Sequence, residues 1–312
     1  MGLPALELTG VRKRFGVTEA VRDVTLRVDS GEMFGLIGPD GAGKTTTIRL
    51  ACGLLKADAG TLAVLGHHPV KDRRAITTSV GYFSQKFSLY GDLTIDENIA
   101  FFAEIHGLVR YHERRNRLLE MMQLTPFRDR LADRLSGGMK QKLALACTLV
   151  HEPRIVMLDE PTTGVDPVSR REFWRLLSEF LAQGITILIA TPYLDEAERC
   201  SRVALMNEGR ILALDSPGRL RQSFPDEVIE VMAEPQERAL RILRDDAAVR
   251  DVQTFGERLH VRVARGGGEA AMVRAASALA GEHVGVTGMR IVPAALEDVF
   301  IDQVMSATAG ES

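Results

Sequence analysis

Met33-Phe34-Gly35-Leu36-Ile37-Gly38-Pro39-Asp40-Gly41-Ala42-Gly43-Lys44-Thr45 is the stretch that decides the architecture. Its first part, Met33 to Ile37, is apolar throughout, as expected of a strand covered on both faces. From Gly38 to Thr45 the chain matches G-x-x-x-x-G-K-[ST] without a gap, and a helical pattern opens near Thr45. Glycines let backbone N–H groups turn inward around an anion, and a helix N-terminus adds partial positive charge. Strand, glycine loop and helix in this order predict a phosphate cradle. Lys44 is expected to neutralise the β- and γ-phosphates of ATP, and the Thr45 hydroxyl to ligate Mg2+. The nucleotide-binding set is then Gly38, Pro39, Asp40, Gly41, Ala42, Gly43, Lys44, Thr45 and Thr46.

Outward from this loop, short apolar runs alternate with amphipathic segments. Residues 155–158, 185–190 and 203–206 read as further buried strands, and 168–181 as a helix with Phe173, Leu176, Leu177, Phe180 and Leu181 on one face. The pattern predicts an α/β domain with a mainly parallel sheet. Between about 93 and 135 the strand signal disappears. Thr94-Ile95-Asp96-Glu97 is a capping box, so this stretch reads as a helical insertion. The strand at 155–158 ends in Asp159-Glu160. Two carboxylates there could simply solvate a strand end. With a phosphate loop in the same chain, Asp159 is expected to hold Mg2+ through its hydration shell and Glu160 to polarise the attacking water.

Leu135-Ser136-Gly137-Gly138 precedes another helical run, with Ser136 as a good N-cap. Physics alone makes this an ordinary capped helix. The order of phosphate loop, Gln85, Leu-Ser-Gly-Gly and Asp-Glu, however, resembles the ATP-binding-cassette (ABC) family over roughly residues 5–220. The resemblance implies a P-loop NTPase cassette that dimerises around two ATP molecules. Ser136 and Gly138 would then contact the γ-phosphate of ATP held by the other subunit. It also implies that Gln85 reaches Mg2+ and senses a separate membrane-spanning permease. Asp166 would lie in the subunit-bridging loop, as well as capping the next helix with Pro167 at its first position. Phe15 falls where the family stacks an aromatic on adenine; a core phenylalanine is the other reading.

The chain departs from the family in Ile189-Ala190-Thr191-Pro192-Tyr193. Pro192 stands where a histidine normally contacts the γ-phosphate, and proline offers neither a side-chain donor nor an N–H. ATP binding with slow hydrolysis is the expectation, with Thr191 or a water as possible substitutes. Asp40 replaces the more usual asparagine, and Met139 the frequent glutamine after Ser-Gly-Gly. The Met139 variant and the tail Leu296-Glu297-Asp298-Val299-Phe300 resemble the drug-resistance branch of bacterial exporters.

After about Arg221 the style changes. Strand and helix patterns at 228–232, 236–243, 249–253, 259–263, 269–279 and 284–292 give the order β-α-β-β-α-β, expected of a small ferredoxin-like domain. The domains are therefore drawn at 1–221 and 222–312.

With 312 residues, 45% of them hydrophobic, the chain can bury a sizeable core. A net charge of −3 gives no global attraction to nucleic acid, so none is expected as a partner. The basic run 110–117 reads as a solvated helix face, and the histidines as surface residues without ligand spacing. Cys52, Cys147 and Cys200 make no framework and fit a reducing compartment. No apolar run approaches the ~20 residues that span a bilayer. The leading reading is the ATPase subunit of a membrane exporter, peripheral on the cytoplasmic face of the inner membrane. Two others stand beside it. One is a soluble switch of the same superfamily acting on ribosomes or nucleic acid; the other is a regulatory subunit that hardly hydrolyses ATP.

Overall fold

A computed structural model describes residues 3–86 and 89–310, with side chains to 307. Two compact units divide between Pro217 and Gly218, a few residues before the boundary read from composition.

In the first unit, β1 (Leu6–Phe15), β2 (Thr18–Val28), β3 (Met33–Ile37) and α1 (Lys44–Ala51) are followed by β4 (Ala59–Val64), α2 (Arg73–Ser79) and β5 (Val80–Phe83). The insertion contributes α3 (Ile95–Ile105) and α4 (His112–Met121), and the chain returns through α5 (Gly137–Leu149) to β6 (Ile155–Asp159). Then come α6 (Pro167–Ala182), β7 (Thr186–Thr191), α7 (Leu194–Ala197), β8 (Arg202–Asn207) and β9 (Arg210–Asp215). The main sheet has the order β5-β6-β7-β3-β8-β9. Its pairs are parallel except β8 with β9. Every residue of β3, β6 and β7 is buried, which explains their unbroken apolar runs.

A second, antiparallel sheet of order β2-β1-β4 closes one side of the core. Leu6, Leu8 and Val24 there share one cluster with Phe34 and Leu36 of β3, Ile48 and Leu50 of α1, and Leu188 of β7. The 3.6-residue periodicity of α6 buries Phe173, Trp174, Leu176, Leu177 and Phe180. In α3, Thr94 accepts from the Glu97 N–H while Glu97 takes the Thr94 N–H at 2.8 Å, completing the capping box.

The second unit follows α8 (Pro217–Gln222) with β10 (Asp226–Glu234), α9 (Gln236–Arg244), β11 (Val249–Phe255), β12 (Arg258–Ala264), α10 (Gly268–Gly281), β13 (Gly285–Val292) and α11 (Leu296–Gly310). Its sheet runs β11-β12-β10-β13 with all neighbours antiparallel. This is the interleaved, split β-α-β arrangement of ferredoxin-like domains. Ile229, Val231, Leu259 and Val261 bury one sheet face with Ala239 and Leu243 of α9 and Ala275 and Leu279 of α10. Glu230 and Arg262 alternate onto the other face, where α11 supplies Asp302 to Arg262 at 2.6 Å.

His67, His112 and His283 are exposed as expected, whereas His106, His151 and His260 depart from the surface expectation. His260 is buried against Asp298 at 3.0 Å, and His151 stacks on His106 with ring centroids 3.8 Å apart. Imidazole has an apolar face and polar edges, so a partnered ring can be buried. The basic run departs likewise. Arg115 lies 3.3 Å and Arg128 2.6 Å from Asp96, so part of that face is an ion-pair seam.

Candidate functional site: a phosphate loop beside two carboxylates

The carboxyl ends of β3 and β6 lie on the same side of the sheet with β7 between them, and side chains from the two key motifs meet there. The loop from Gly38 to Gly43 leaves β3 and enters α1. Backbone crowding dictates its composition. A Cβ on Gly38 would lie 2.1 Å from the Met206 carbonyl. One on Gly43, which sits at φ +100°, would lie 2.5 Å from that of Ala20. Only glycine tolerates this approach.

Lys44 folds back over the loop. Its Nζ donates to the carbonyls of Gly38 at 2.8 Å and Pro39 at 2.9 Å, and lies 3.7 Å from the Glu160 carboxylate. Burial pushes the Lys44 ammonium down from its ordinary value, opposed by Glu160, Asp40 and Asp159. A buried cation without an anionic ligand across it is costly, so this corner is prepared for negative charge. Asp40 itself is exposed.

The Thr45 hydroxyl donates to Asp159 Oδ1 at 2.8 Å, joining motifs more than a hundred residues apart in sequence. Tyr82 on β5 donates more distantly to Oδ2, at 3.5 Å. Asp159 is fully buried, and burial pushes its carboxyl up, opposed by the Thr45 hydrogen bond, Arg49 and Lys44. An acid buried with hydroxyl partners is one a hard divalent cation would relieve. The hydroxyl and carboxylate pair fits magnesium, which takes few protein oxygens and keeps several waters.

Glu160 occupies the left-handed region at φ 50°, a strained conformation for a residue with a side chain. Its amide donates to the Ala190 carbonyl at 2.8 Å. Its Oε2 accepts from Gln85 Nε2 at 2.8 Å and from the Thr163 hydroxyl at 3.4 Å. The glutamine, the base candidate and the loop lysine are thus one cluster. A cavity of about 440 Å3 lies over Gly41 to Thr46 and extends past Glu160 to Thr18 and Arg22. A second, of about 370 Å3, runs from Glu160 and Gln85 toward Asp133 in the insertion and Lys140 on α5.

The remaining expected residues lie apart. Ser136 caps α5 by accepting from the Met139 N–H at 3.3 Å, and Gly138 packs against Ser169. Ser136 is exposed. Asp166 is also exposed and caps α6, accepting from the Val168 and Ser169 N–H groups at 3.0 Å each. The Ser169 hydroxyl first, and these backbone bonds after it, hold its carboxyl below the usual range. Phe15 is 47% exposed, with the Lys13 ammonium 5.4 Å from its ring centroid. It is a surface aromatic, not a core one. Pro192 is half-buried after β7. Thr191 is 1% exposed and donates to Glu196 at 2.6 Å, so its hydroxyl is engaged away from the phosphate loop.

Sequence reading passes over Tyr82, Thr163 and Glu196. Tyr82 lies three residues before Gln85, where an aromatic strand residue reads as core. No local spacing marks the other two.

A family model described as "ABC transporter" matches residues 21–163. The probable multidrug ABC transporter ATP-binding protein YbhF of Escherichia coli strain K12 is 46% identical over 243 residues, covering 77% of this chain and 42% of that protein. This chain therefore spans less than half the length of that relative. The Nod factor export ATP-binding protein I of Burkholderia lata is 37% identical over 310 residues, covering 96% of this chain and 97% of the relative. Among solved structures, the dimeric post-hydrolysis state of the ATP-binding cassette MJ0796 bound to ADP and Pi superposes with a TM-score of 0.61. It is 26% identical and covers 68% of this chain and 98% of that one. A match at 37% identity over nearly the whole of both chains, together with the fold of a solved ATP-binding cassette, makes this chain a member of the ATP-binding proteins of ABC transporters.

Proposed function

We propose that this chain is the ATP-hydrolysing subunit of a membrane exporter, working as half of a dimer against a separate membrane-spanning permease. The observation that carries the reading is the single cluster of Lys44, Thr45, Asp159, Glu160 and Gln85 beyond the carboxyl ends of β3, β6 and β5. Relatives named for multidrug transport and for Nod factor export support the exporter class. Among the described residues no helix is long and apolar enough to cross a membrane, which agrees with a spanning partner. Attachment would be peripheral, on the cytoplasmic face of the inner membrane.

On nucleotide binding, Lys44 would exchange its bonds to the Gly38 and Pro39 carbonyls for bonds to β- and γ-phosphate oxygens. Thr45 and Asp159 would hold magnesium, which when bound neutralises charge on those oxygens. Gln85 would turn from Glu160 toward the same metal, freeing Glu160 Oε2. Glu160 would then take a proton from the water attacking the γ-phosphorus, as the bond to the bridging oxygen breaks. Phe15 would offer an exposed ring to adenine. Ser136 and Gly138 of each copy would close on the nucleotide of the other, with Asp166 in the bridging loop. The cavity from Glu160 toward the insertion supports transmission of this change to the permease. Energy enters as tighter ATP binding by the closed dimer than by the open one.

Pro192 removes the histidine donor, and Thr191 is committed to Glu196. Slow turnover follows from both. The chain would then pair with itself or with a second cassette that keeps the histidine.

The closed dimer is the testable core. With ATP and Mg2+, the Glu160→Gln chain is expected to run as a dimer in light scattering, and to be monomeric without nucleotide. The same chain carrying Lys44→Ala as well is expected to stay monomeric throughout. A monomer at saturating ATP in the first case would count against the reading.

A further inference from the structure

Glu196 is a carboxylate with 1% exposure that the mechanism above does not use. It collects four donors. Its Oε1 accepts from the Thr162 hydroxyl at 2.6 Å, Arg170 Nε at 2.7 Å and Trp174 Nε1 at 3.2 Å. Its Oε2 accepts from the Thr191 hydroxyl at 2.6 Å. Thr162, Thr191 and Trp174 are themselves buried. Arg170 supplies the balancing charge and also takes both oxygens of Asp195, at 2.8 and 2.9 Å. A buried carboxylate with this many short bonds is firmly fixed, and so are its donors.

The donors belong to the two segments that flank Glu160. Thr162 lies two residues after Glu160 on the turn leaving β6. Thr191 follows Ala190, whose carbonyl receives the Glu160 amide at 2.8 Å. One carboxylate therefore ties the end of β6 to the end of β7. Between those ties stands Glu160, with its backbone at φ 50°. Such strain persists only where the surroundings over-determine it. Pro192 lies inside the tied segment too, since Tyr193 N–H donates to the Thr191 hydroxyl at 3.1 Å.

We infer that Glu196 is a positioning residue for Glu160: it holds the two strand ends in register and so keeps the water-polarising carboxylate aimed without the histidine. Its importance to turnover rests on the hydrolytic reading above; its hold on the 160–166 segment does not.

The test separates the two. Hydrogen exchange is measured on the nucleotide-free full chain for the parent, Thr162→Val, Thr191→Val and Glu196→Gln. Valine keeps the threonine shape; at 162 it removes only the donor to Glu196, and at 191 also the acceptor of the Tyr193 N–H, so folding is retained even if glutamine, unable to accept at one end, unsettles Arg170. Amides of 160–166 are expected to exchange roughly tenfold faster or more in each folded variant, with β1 unchanged. Steady-state kinetics are expected to show kcat down by about tenfold or more, with the KM for ATP within about twofold. Thr162→Ser is expected to restore both. Exchange at 160–166 matching the parent would overturn the inference. So would a uniform rise across the unit, with kcat, KM and melting temperature all affected, because that is a merely structural role. A parent that binds ATP without turnover would defeat the hydrolytic reading, and the exchange result alone would then decide the positioning role.

Discussion

Gly43 and Glu160 are the two backbone positions on which the site depends. Both have positive φ, at 100° and 50°: Gly43 where the phosphate loop enters α1, and Glu160 where the chain leaves β6. Gly43→Ala would place a methyl 2.5 Å from the Ala20 carbonyl in a region that L side chains avoid. A local strain of about 1–3 kcal/mol corresponds to roughly 5- to 150-fold weaker nucleotide binding. Titration with a fluorescent ATP analogue checks this; unchanged affinity would mean that the loop relaxes at no cost. At this scale the sequence was informative where spacing is local. The loop from Gly38 to Thr45 and the pair Asp159-Glu160 are contiguous motifs, and the structure joins them through Thr45 and Lys44. Glu196 was not legible, because its partners at 162, 170, 174 and 191 come together only when two parallel strands lie side by side.

Among elements, the end of α3 and the end of α5 meet through the stacked His106 and His151. His151 Nε2 lies 3.2 Å from the Val80 carbonyl, while its Nδ1 is buried without a partner. Burial first, and His106 second, push His151 down to about 4 from 6.5. A folded value below the unfolded one gives stability that is present above pH 6.5 and lost as pH falls through about 4. Its size is on the order of 3 kcal/mol. Urea denaturation at pH 6.5 and 4.0 should therefore show a smaller acid loss for His151→Gln than for the parent. An equal loss would show that the pair does not titrate as argued. The sequence pattern recovered α6, the strands β3, β6, β7 and β8 of the main sheet and the capping box of α3. It missed β5 and β9 in that sheet, and all of β1, β2 and β4. Half of each of these last three strands faces solvent, and β1 pairs with both neighbours through register shifts, so the apolar signal is diluted. It also read the arginines of α4 as solvated, because Asp96 is far from them in sequence.

At the level of the whole molecule, two units carry different kinds of information. The first holds every residue of the proposed hydrolytic machinery. The second has a ferredoxin-like order that was legible because its strands and helices are short, alternating and separated by turn residues. Its last helix, α11, was visible only as the short tail motif from Leu296 to Phe300. Asp298 of that motif buries against His260 and accepts the Ala295 N–H at 2.8 Å, so the motif reports a tertiary contact rather than a helix pattern. What the cassette as a whole does with ATP turns on Glu160 and on the proline at 192. The most direct measurement is steady-state ATP hydrolysis by the purified chain beside Glu160→Gln and Pro192→His. Slow turnover is predicted for the parent, falling by roughly 100-fold or more with Glu160→Gln, and rising by about tenfold with Pro192→His at unchanged KM. Turnover by Glu160→Gln at the parent's rate would contradict the account.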